Sequence, residues 1–431
     1  MRLTYKFRLK QKCNKKLIEL MTISKNLYNQ ANYIVRQEFI FNHKYLDYNE
    51  IEKMMKDSPN LEGSINYKLL PAQTSQQILK LLDKNWISFF KAIEDWKINP
   101  KKYKAKPNIP YYNKENKFLL IFTNQNLRLK NQKLKSKSFK INIKLPQKDI
   151  INENNYQQTR IIEKNCALFC EVIYNKIEEL KNINKNNVLS IDLGINNFIT
   201  AVTNINKRPV IINGRPLKSY NQFYNKQKAR LKSIINKGKN VKLKKDKKYF
   251  KETKRMNRIE LNRNLFINNF QHRTSKFIID YCIKNRIGKI CVGELNGLKT
   301  SISTGKRLNQ QIVQIPFWIF KQKLKYKCQL YGIEYQEVDE CYTSKCDALG
   351  LEPICKHEQY FGKRIKRGLF QSIKGLINAD VNGALNILRK VIGDSFIHLI
   401  NSRVMLHPIM IKNPFDSDSY KWFLLKSVNS F

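Results

Sequence analysis

The sequence predicts an α/β fold joined to helical and β modules, and three observations lead there. Two apolar runs, VLSID and KICVGE, have the length of buried strands, and an amphipathic helix, NADVNGALNILRKV, follows them later in the chain. Over the first hundred residues the apolar positions recur with helical spacing, as in LIELMTISKNLYNQANYIVRQEFI. Between residues 117 and 176 they alternate instead, as FLLIFT, FKINIKL and CALFCEVIY, which is the period of strands.

Charge bounds the class of partner. The chain has 431 residues, 42% of them hydrophobic, which suits a globular protein of several domains. Lys and Arg number 81 against 34 Asp and Glu, a formal charge of +47. An excess of that size repels itself in a compact state unless a polyanion neutralises it, and nucleic acid is the commonest such ligand. The charge is spread along the chain rather than gathered on one amphipathic helix, which argues against a membrane-surface protein. Nine cysteines lack the dense, even spacing of a secreted disulfide framework, so a reducing cytoplasm is expected. The opening MRLTYKFRLK reads as a strand rather than a leader, and no apolar run reaches membrane-spanning length.

Taken in order, residues 1–15 form a strand, 16–110 a helical domain and 111–180 a β module that the first strand joins in a barrel-like arrangement. Residues 181–340 are the α/β domain, 341–375 an insertion, 376–395 its final helix and 396–431 a tail. Within the helical domain, QTSQQILKLLDKNWISFFKAIEDWK offers Thr74 and Ser75 as N-caps and sets Ile78, Leu81, Leu82, Trp86, Phe89, Phe90 and Ile93 on one face. The helical period accounts for those aromatics as core rather than as base-stacking platforms. NPKKYKAKPNIPYYNKENKF interleaves Pro, Lys and Tyr, and reads either as an extended nucleic-acid contact or as a basic linker. A helical hairpin over 218–286 exposes Lys226, Lys228, Arg230, Lys232, Arg255, Arg258 and Arg263, with Leu231, Ile234, Ile259, Phe266 and Phe270 inward. It is a candidate for tracking phosphates.

Three distant segments each end an apolar element on an acid. VLSIDLGINNFITAVTN forms a strand carrying Asp192, a tight GINN turn and a second strand. KICVGELNG delivers Glu294 at a strand's end, and Asp380 sits in the first turn of a helix that buries Ala384, Leu385, Leu388 and Val391. Singly, such an acid is usually a cap or a surface group. Brought to one sheet edge, three carboxylates repel unless divalent cations lie between them. Two Mg²⁺ about 4 Å apart are the arrangement that activates water and stabilises the leaving oxygen in phosphodiester cleavage. All-oxygen ligands favour Mg²⁺ or Mn²⁺ over zinc there.

The blocks SIDLGINN, VGELNG and INADVNGALNILRK resemble the three RuvC blocks of the TnpB (OrfB) proteins of insertion sequences, relatives of compact type V CRISPR effectors. The KFRLK strand, the WISFFKAIEDWKINPKKYKAKPNIPYY segment and the YTSKC…GKRIKRGLF stretch resemble that family too. The resemblance implies a RuvC, ribonuclease-H-like nuclease domain with Asp192, Glu294 and Asp380 as its metal-binding triad. It also implies wedge and recognition parts that hold a guide RNA from the element itself, and cleavage of double-stranded DNA beside a short motif. A nuclease-silent repressor, a type V effector and a cut-and-paste transposase are the competing readings. The last generally carries Glu on the final helix, where this chain has Asp380.

Many members of that family carry two CxxC pairs between the second and third acids. This chain has Cys341, Cys346, Cys355 and His357, a degenerate zinc-ribbon spacing of C-x4-C-x8-C-x-H, with a metal-free insertion held by packing as the alternative. Cys355 and His357 would share a face only on a strand. The basic run that follows, Lys363, Arg364, Lys366 and Arg367, is placed to grip a strand entering the cleft. GxxxxGK[ST] does not occur, so an ATP-driven motor is not expected.

Overall fold

The computed structural model describes residues 1–9, 14–136, 139–146, 150–236, 253–294 and 306–412. They fall into two compact units, 1–176 and 177–431.

In the first unit, β1 (Arg2–Arg8) is followed by α1 (Asn14–Phe41), α2 (Tyr48–Met55), α3 (Asn66–Leu69) and α4 (Ala72–Ile98). Six strands follow: β2 (Leu120–Thr123), β3 (Arg128–Lys130), β4 (Lys133–Ser136), β5 (Ile141–Lys144), β6 (Tyr156–Lys164) and β7 (Ala167–Asn175). The opening residues do join the later strands, since β1 runs antiparallel to β7 with Arg2 opposite Asn175. Among the described residues the β module comprises a four-stranded sheet, β1-β7-β6-β2, and a three-stranded sheet, β3-β4-β5. Trp86 is fully buried on α4 against Phe39, Tyr45, Phe89 and Phe90, so these aromatics are core. Thr74 and Ser75 are not caps. Pro71, with φ of −55°, already starts the helix, and the Ser75 hydroxyl donates to the Tyr67 carbonyl at 2.8 Å.

The second unit opens with β8 (Asn184–Leu193), β9 (Asn197–Thr203) and β10 (Val210–Asn213), then α5 (Arg215–Asn236) and α6 (Lys254–Lys284). It continues through β11 (Ile287–Glu294), α7 (Lys306–Val313), α8 (Phe317–Tyr331) and β12 (Glu334–Asp339). A small antiparallel sheet follows from β13 (Lys363–Lys366), β14 (Leu369–Ser372) and β15 (Gly375–Ile377), then α9 (Ala379–Ile392), α10 (Ser402–Leu406) and β16 (Ile409–Ile411). The main sheet has the order β12-β11-β8-β9-β10-β16, with β11 parallel to both β8 and β12. The segment expected as a tail therefore supplies an edge strand, β16, pairing in parallel with β10. Residues 413–431 of that tail lie outside the described residues.

Alternation along the strands divides the core between the two sheet faces. Leu189, Ile191, Ile290 and Val292 pack with Phe270, Phe317 and Phe320 of α6 and α8. Burying each of those rings contributes roughly 2–3 kcal/mol. Val188, Cys291 and Val338 pack on the other face against α9, through Ala384, Leu385 and Leu388. Val391 is only partly buried there, yet α9 as a whole is more enclosed than its pattern suggested, because Val381 through Arg389 are all buried. On the basic hairpin, Ile234 is 54% exposed rather than inward, and Arg263 is not a surface contact. Its guanidinium donates to Asn221 at 2.7 Å and to the Gln314 carbonyl at 2.8 Å, which fixes α6 in place.

Candidate active site

The carboxyl ends of parallel strands β8, β11 and β12 point the same way, which is where open α/β sheets bind ligands. Asp192 is the penultimate residue of β8. Ser190, two residues earlier, donates its hydroxyl to the Ala384 carbonyl at 2.7 Å, so Asp192 shares the α9 face. Asp380 stands in the first turn of α9, where Asn378 caps the helix by accepting from the Asp380 and Val381 amides. Asn197, opening β9, donates to Asp380 Oδ2 at 2.6 Å. Gly383 lies one turn along α9, and a β-carbon there would stand 3.3 Å from Asp192 Oδ2. Asp192 and Asp380, 188 positions apart in the chain, thus meet across one small space.

Glu294 ends β11, the neighbouring strand. Ile290 and Val292 face α6 and α8 whereas Cys291 faces α9, so alternation turns Gly293 toward α9, and the charge of Glu294 acts on Glu340. Val292 pairs with Ile191, which leaves Gly293 beside Asp192. The side chain that fills this place comes from further on. Glu340, directly after β12, lays its carboxylate where a β-carbon on Gly293 would stand. Its Oε1 is buried without a hydrogen-bond partner among the described residues. Sequence reasoning missed Glu340, because ECYTSKC reads as a loop and the gap it fills is a glycine's.

Electrostatics ties these groups together. Burial, then the charges of Glu340 and Asp380, push the Asp192 carboxyl well above the usual range, with the Leu193 amide and Arg364 opposing. Burial raises Glu340 to about 7, Lys321 and Lys390 lowering it and Asp339 and Glu294 raising it. Mutually repelling carboxylates with a buried, unbonded oxygen fit a hard cation chemically. Even so, among the described residues no group of three or more acidic, histidine or cysteine side chains is arranged to hold a metal ion.

The cysteine set is divided. Cys355 Sγ and His357 Nε2 are 3.4 Å apart without any strand to align them, and the same nitrogen lies 2.7 Å from the Pro353 carbonyl. The buried Cys346 thiol donates to the Cys355 carbonyl at 3.5 Å, and Cys341 is held on Asp339. Two buried acids make the cross-links of this insertion. Asp347 accepts from the Leu349, Gly350 and Ile373 amides and the Ser372 hydroxyl. Glu352 accepts from the Asp347 and Phe361 amides. Asn382 and Asn386 of α9 both donate to the Cys346 carbonyl, at 2.8 and 2.7 Å, fastening the insertion to the helix that carries Asp380.

That attachment brings the basic run to the site. Arg364 Nη2 is 3.4 Å from Asp380 Oδ1, and Lys363, Lys366 and Arg367 are exposed around it. Lys226, Arg230, Arg255 and Arg258 are exposed on α5 and α6, whereas Lys228 is engaged by Tyr224 and Glu260.

Comparison with known proteins matches residues 171–299 to a family described as a probable transposase, OrfB_IS605, and residues 317–387 to the Cas12f1-like TNB domain. The TnpB-like protein ORF457 of Acidianus two-tailed virus is 28% identical over 217 residues, 48% of this chain and 42% of that one. The chain therefore spans less than half the length of this curated relative. A cryo-EM structure of the Cas12f1-sgRNA-target DNA complex aligns with a TM-score of 0.52 at 15% identity, covering 88% of this chain and 83% of that one, a likeness of fold. Among the described residues no helix is long and apolar enough to cross a membrane.

Proposed function

From the chain's kinship with the TnpB (OrfB) proteins of insertion sequences and with compact type V effectors, we propose that it is an RNA-guided DNA endonuclease whose second unit is a RuvC-like, ribonuclease-H-like nuclease domain. The observation that carries this reading is the meeting of Asp192 and Asp380 under α9 at the carboxyl edge of the sheet, with further acid from the β11 and β12 side. Glu294, at the end of β11, is the third acid that the sequence pattern assigns. Two Mg²⁺ or Mn²⁺ held there would supply Lewis acidity to phosphate oxygens and a water acidic enough to attack at neutral pH.

The remaining work belongs to the chain's own residues. Asn197 orients the Asp380 carboxylate through its 2.6 Å bond, and Gly383 leaves the space that a bulkier residue would close over Asp192. Arg364 stands beside Asp380, positioned to pair with a phosphate of the strand being cut, as a guanidinium fork does well. Lys363, Lys366 and Arg367 extend that grip, and Lys226, Arg230, Arg255 and Arg258 offer a second phosphate track. Guide RNA and double-stranded DNA are the expected partners, and the net charge of +47 suits a contact of that extent.

The test is reconstitution. Protein purified with the RNA it retains, given Mg²⁺ and a target matched to that RNA, should cut the target. Asp192→Ala should abolish cutting while RNA retention persists. Intact wild-type target under permissive salt and temperature would refute the proposal.

A further inference from the structure

We infer that the strand being cut lodges one unstacked base in an amide-lined cavity beside the turn that follows Asp192, where Asn221 donates to it. The inference rests on the nuclease reading above and deepens it, adding a second point of hold on that strand.

The cavity, of about 220 Å³, lies between α5, the end of α7 and the β8–β9 turn. Local chain geometry puts it there. The hairpin reverses between Leu193, paired with Ile199, and Asn197, whose amide holds Asp380. The Gly214 amide donates to the Asn196 carbonyl at 2.7 Å, which seats the start of α5 on that turn. Lys218, in the first turn of α5, reaches the Asn196 side-chain oxygen at 3.4 Å. Ile195, which lines the cavity, stands three positions beyond Asp192, a span of at most roughly 10 Å of chain. A strand lying on the acids therefore passes the mouth with a neighbouring nucleotide.

Three features say what the cavity takes. The first is Asn221, which lines it and is only 3% exposed. Its Oδ1 accepts from Arg263 Nε at 2.7 Å, which fixes how the amide faces, and its Nδ2 has no acceptor among the described residues. A buried N–H left so costs about 1–3 kcal/mol, and because this group can only donate, its ligand must bring an acceptor. The second is rigidity. Asn225 and Gln314 exchange bonds of 3.1 and 2.8 Å, tying α5 to the residue after α7. Arg263 also donates to the Gln314 carbonyl at 2.8 Å, so one guanidinium fixes both Asn221 and the opposite wall. The third is the lining. Ile195 and the buried Ile315 offer apolar surface, Gln222 and Gln311 are half-buried amides, and Lys226 is an exposed cation. A flat ring with acceptors on its edge matches that set, since Asn and Gln are the side chains that pair with base edges. Bases of single strands are free to leave the stack and be held in this way. A bare phosphate would call for a cation beneath it, and Arg263, the guanidinium nearest, is spent on Asn221 and Gln314.

The experiment reads binding without cutting. Complexes purified with the RNA they retain are mixed with matched target in EDTA, with 2-aminopurine placed at each position of either DNA strand in turn. That base keeps purine ring acceptors and brightens when it leaves the stack. Wild type should brighten it at one position by about twofold or more. Asn221→Asp keeps an oxygen for Arg263 and removes the donor; it should abolish the rise with no fall in melting temperature. An abasic site at that position should weaken wild-type binding about five- to tenfold, the worth of a hydrogen bond, and leave Asn221→Asp nearly unchanged. Gln311→Ala, at the edge of the cavity, should lower affinity about two- to threefold at the same position only. A rise equal in wild type and Asn221→Asp, or absent at every position, would overturn the inference whether or not the protein cuts. An abasic site that costs wild type nothing, where Asn221→Asp binds more weakly, would overturn the base and give the cavity to phosphate. Brightening that depends on Asn221, in a complex that leaves its target intact once Mg²⁺ is restored, would refute the nuclease reading and keep the cavity's assignment.

Discussion

Replacing Asn386 by leucine should weaken the second unit and loosen the insertion that carries Arg364. Asn386 is fully buried on α9. Its amide donates to the Thr343 carbonyl at 2.8 Å and the Cys346 carbonyl at 2.7 Å, and its oxygen accepts from Arg389 at 2.8 Å. Leucine keeps the branched heavy-atom skeleton but is bulkier, so some overpacking adds to the polar loss. The Cys346 carbonyl keeps Asn382 at 2.8 Å, and Arg389 keeps Asp394 and the Glu352 carbonyl. What is left is the Thr343 carbonyl, buried and deprived of this donor, at a cost of about 1–3 kcal/mol. The weakened Arg389 network adds about 1 kcal/mol. A total of roughly 2–4 kcal/mol corresponds to a drop in melting temperature on the order of 5–15 °C for a unit of this size. Urea and thermal unfolding followed by circular dichroism would read it. A shift below about 0.5 kcal/mol would refute the claim that these bonds hold the insertion to α9.

Three further outcomes are expected. Asn197→Ala removes the 2.6 Å donor to Asp380; target cutting should fall about tenfold or more, since a bond to a charged group is worth about 1.5–3 kcal/mol, with little change in the urea midpoint. Burial holds Lys327 down at about 7 and Lys323 at about 8. The unfolded chain therefore binds more protons than the fold above pH 7, and stability should rise with pH between 7 and 10, by at most about 1.4 kcal/mol per unit for one group. Lys327→Met should flatten that rise in urea midpoints taken at pH 7 and 9. Finally, because Asp347 and Glu352 cross-link the insertion through amides, exhaustive chelation should leave the melting temperature within about 2 °C of the untreated protein. Elemental analysis should find well under one zinc per chain, and a chelator-induced collapse would restore the zinc set.

What the sequence made legible was whatever announces itself locally. VLSID and KICVGE are apolar enough to be strands in any context, and the first helical turn expected at Asp380 is one that the fold keeps. The hairpin between Asp192 and Asn197 follows from its turn. Features made by distant partners were not legible. Glu340 owes its position to a missing side chain at 293, and nothing in the local pattern of ECYTSKC reports that vacancy. Asp347 and Glu352 look like surface acids until the fold brings backbone amides around them. Ile234 obeys the helical period yet is exposed, because period says which face a residue shares and not whether another element covers it. The edge strand Ile409–Ile411 is too short to signal itself and exists by pairing with Val210–Ile212.

That last pairing bears on the order in which the protein can be made. The sheet that positions Asp192 is bordered by residues 409–411 and roofed by 379–392, so its earliest strands must wait for roughly two hundred further residues to leave the ribosome. Until then Val210–Ile212 is a bare apolar ribbon able to pair with whatever strand it meets. Chains terminated ahead of residue 409 should accumulate as aggregates rather than as shortened folded proteins, and expression yield should depend on how promptly translation runs through its final segment.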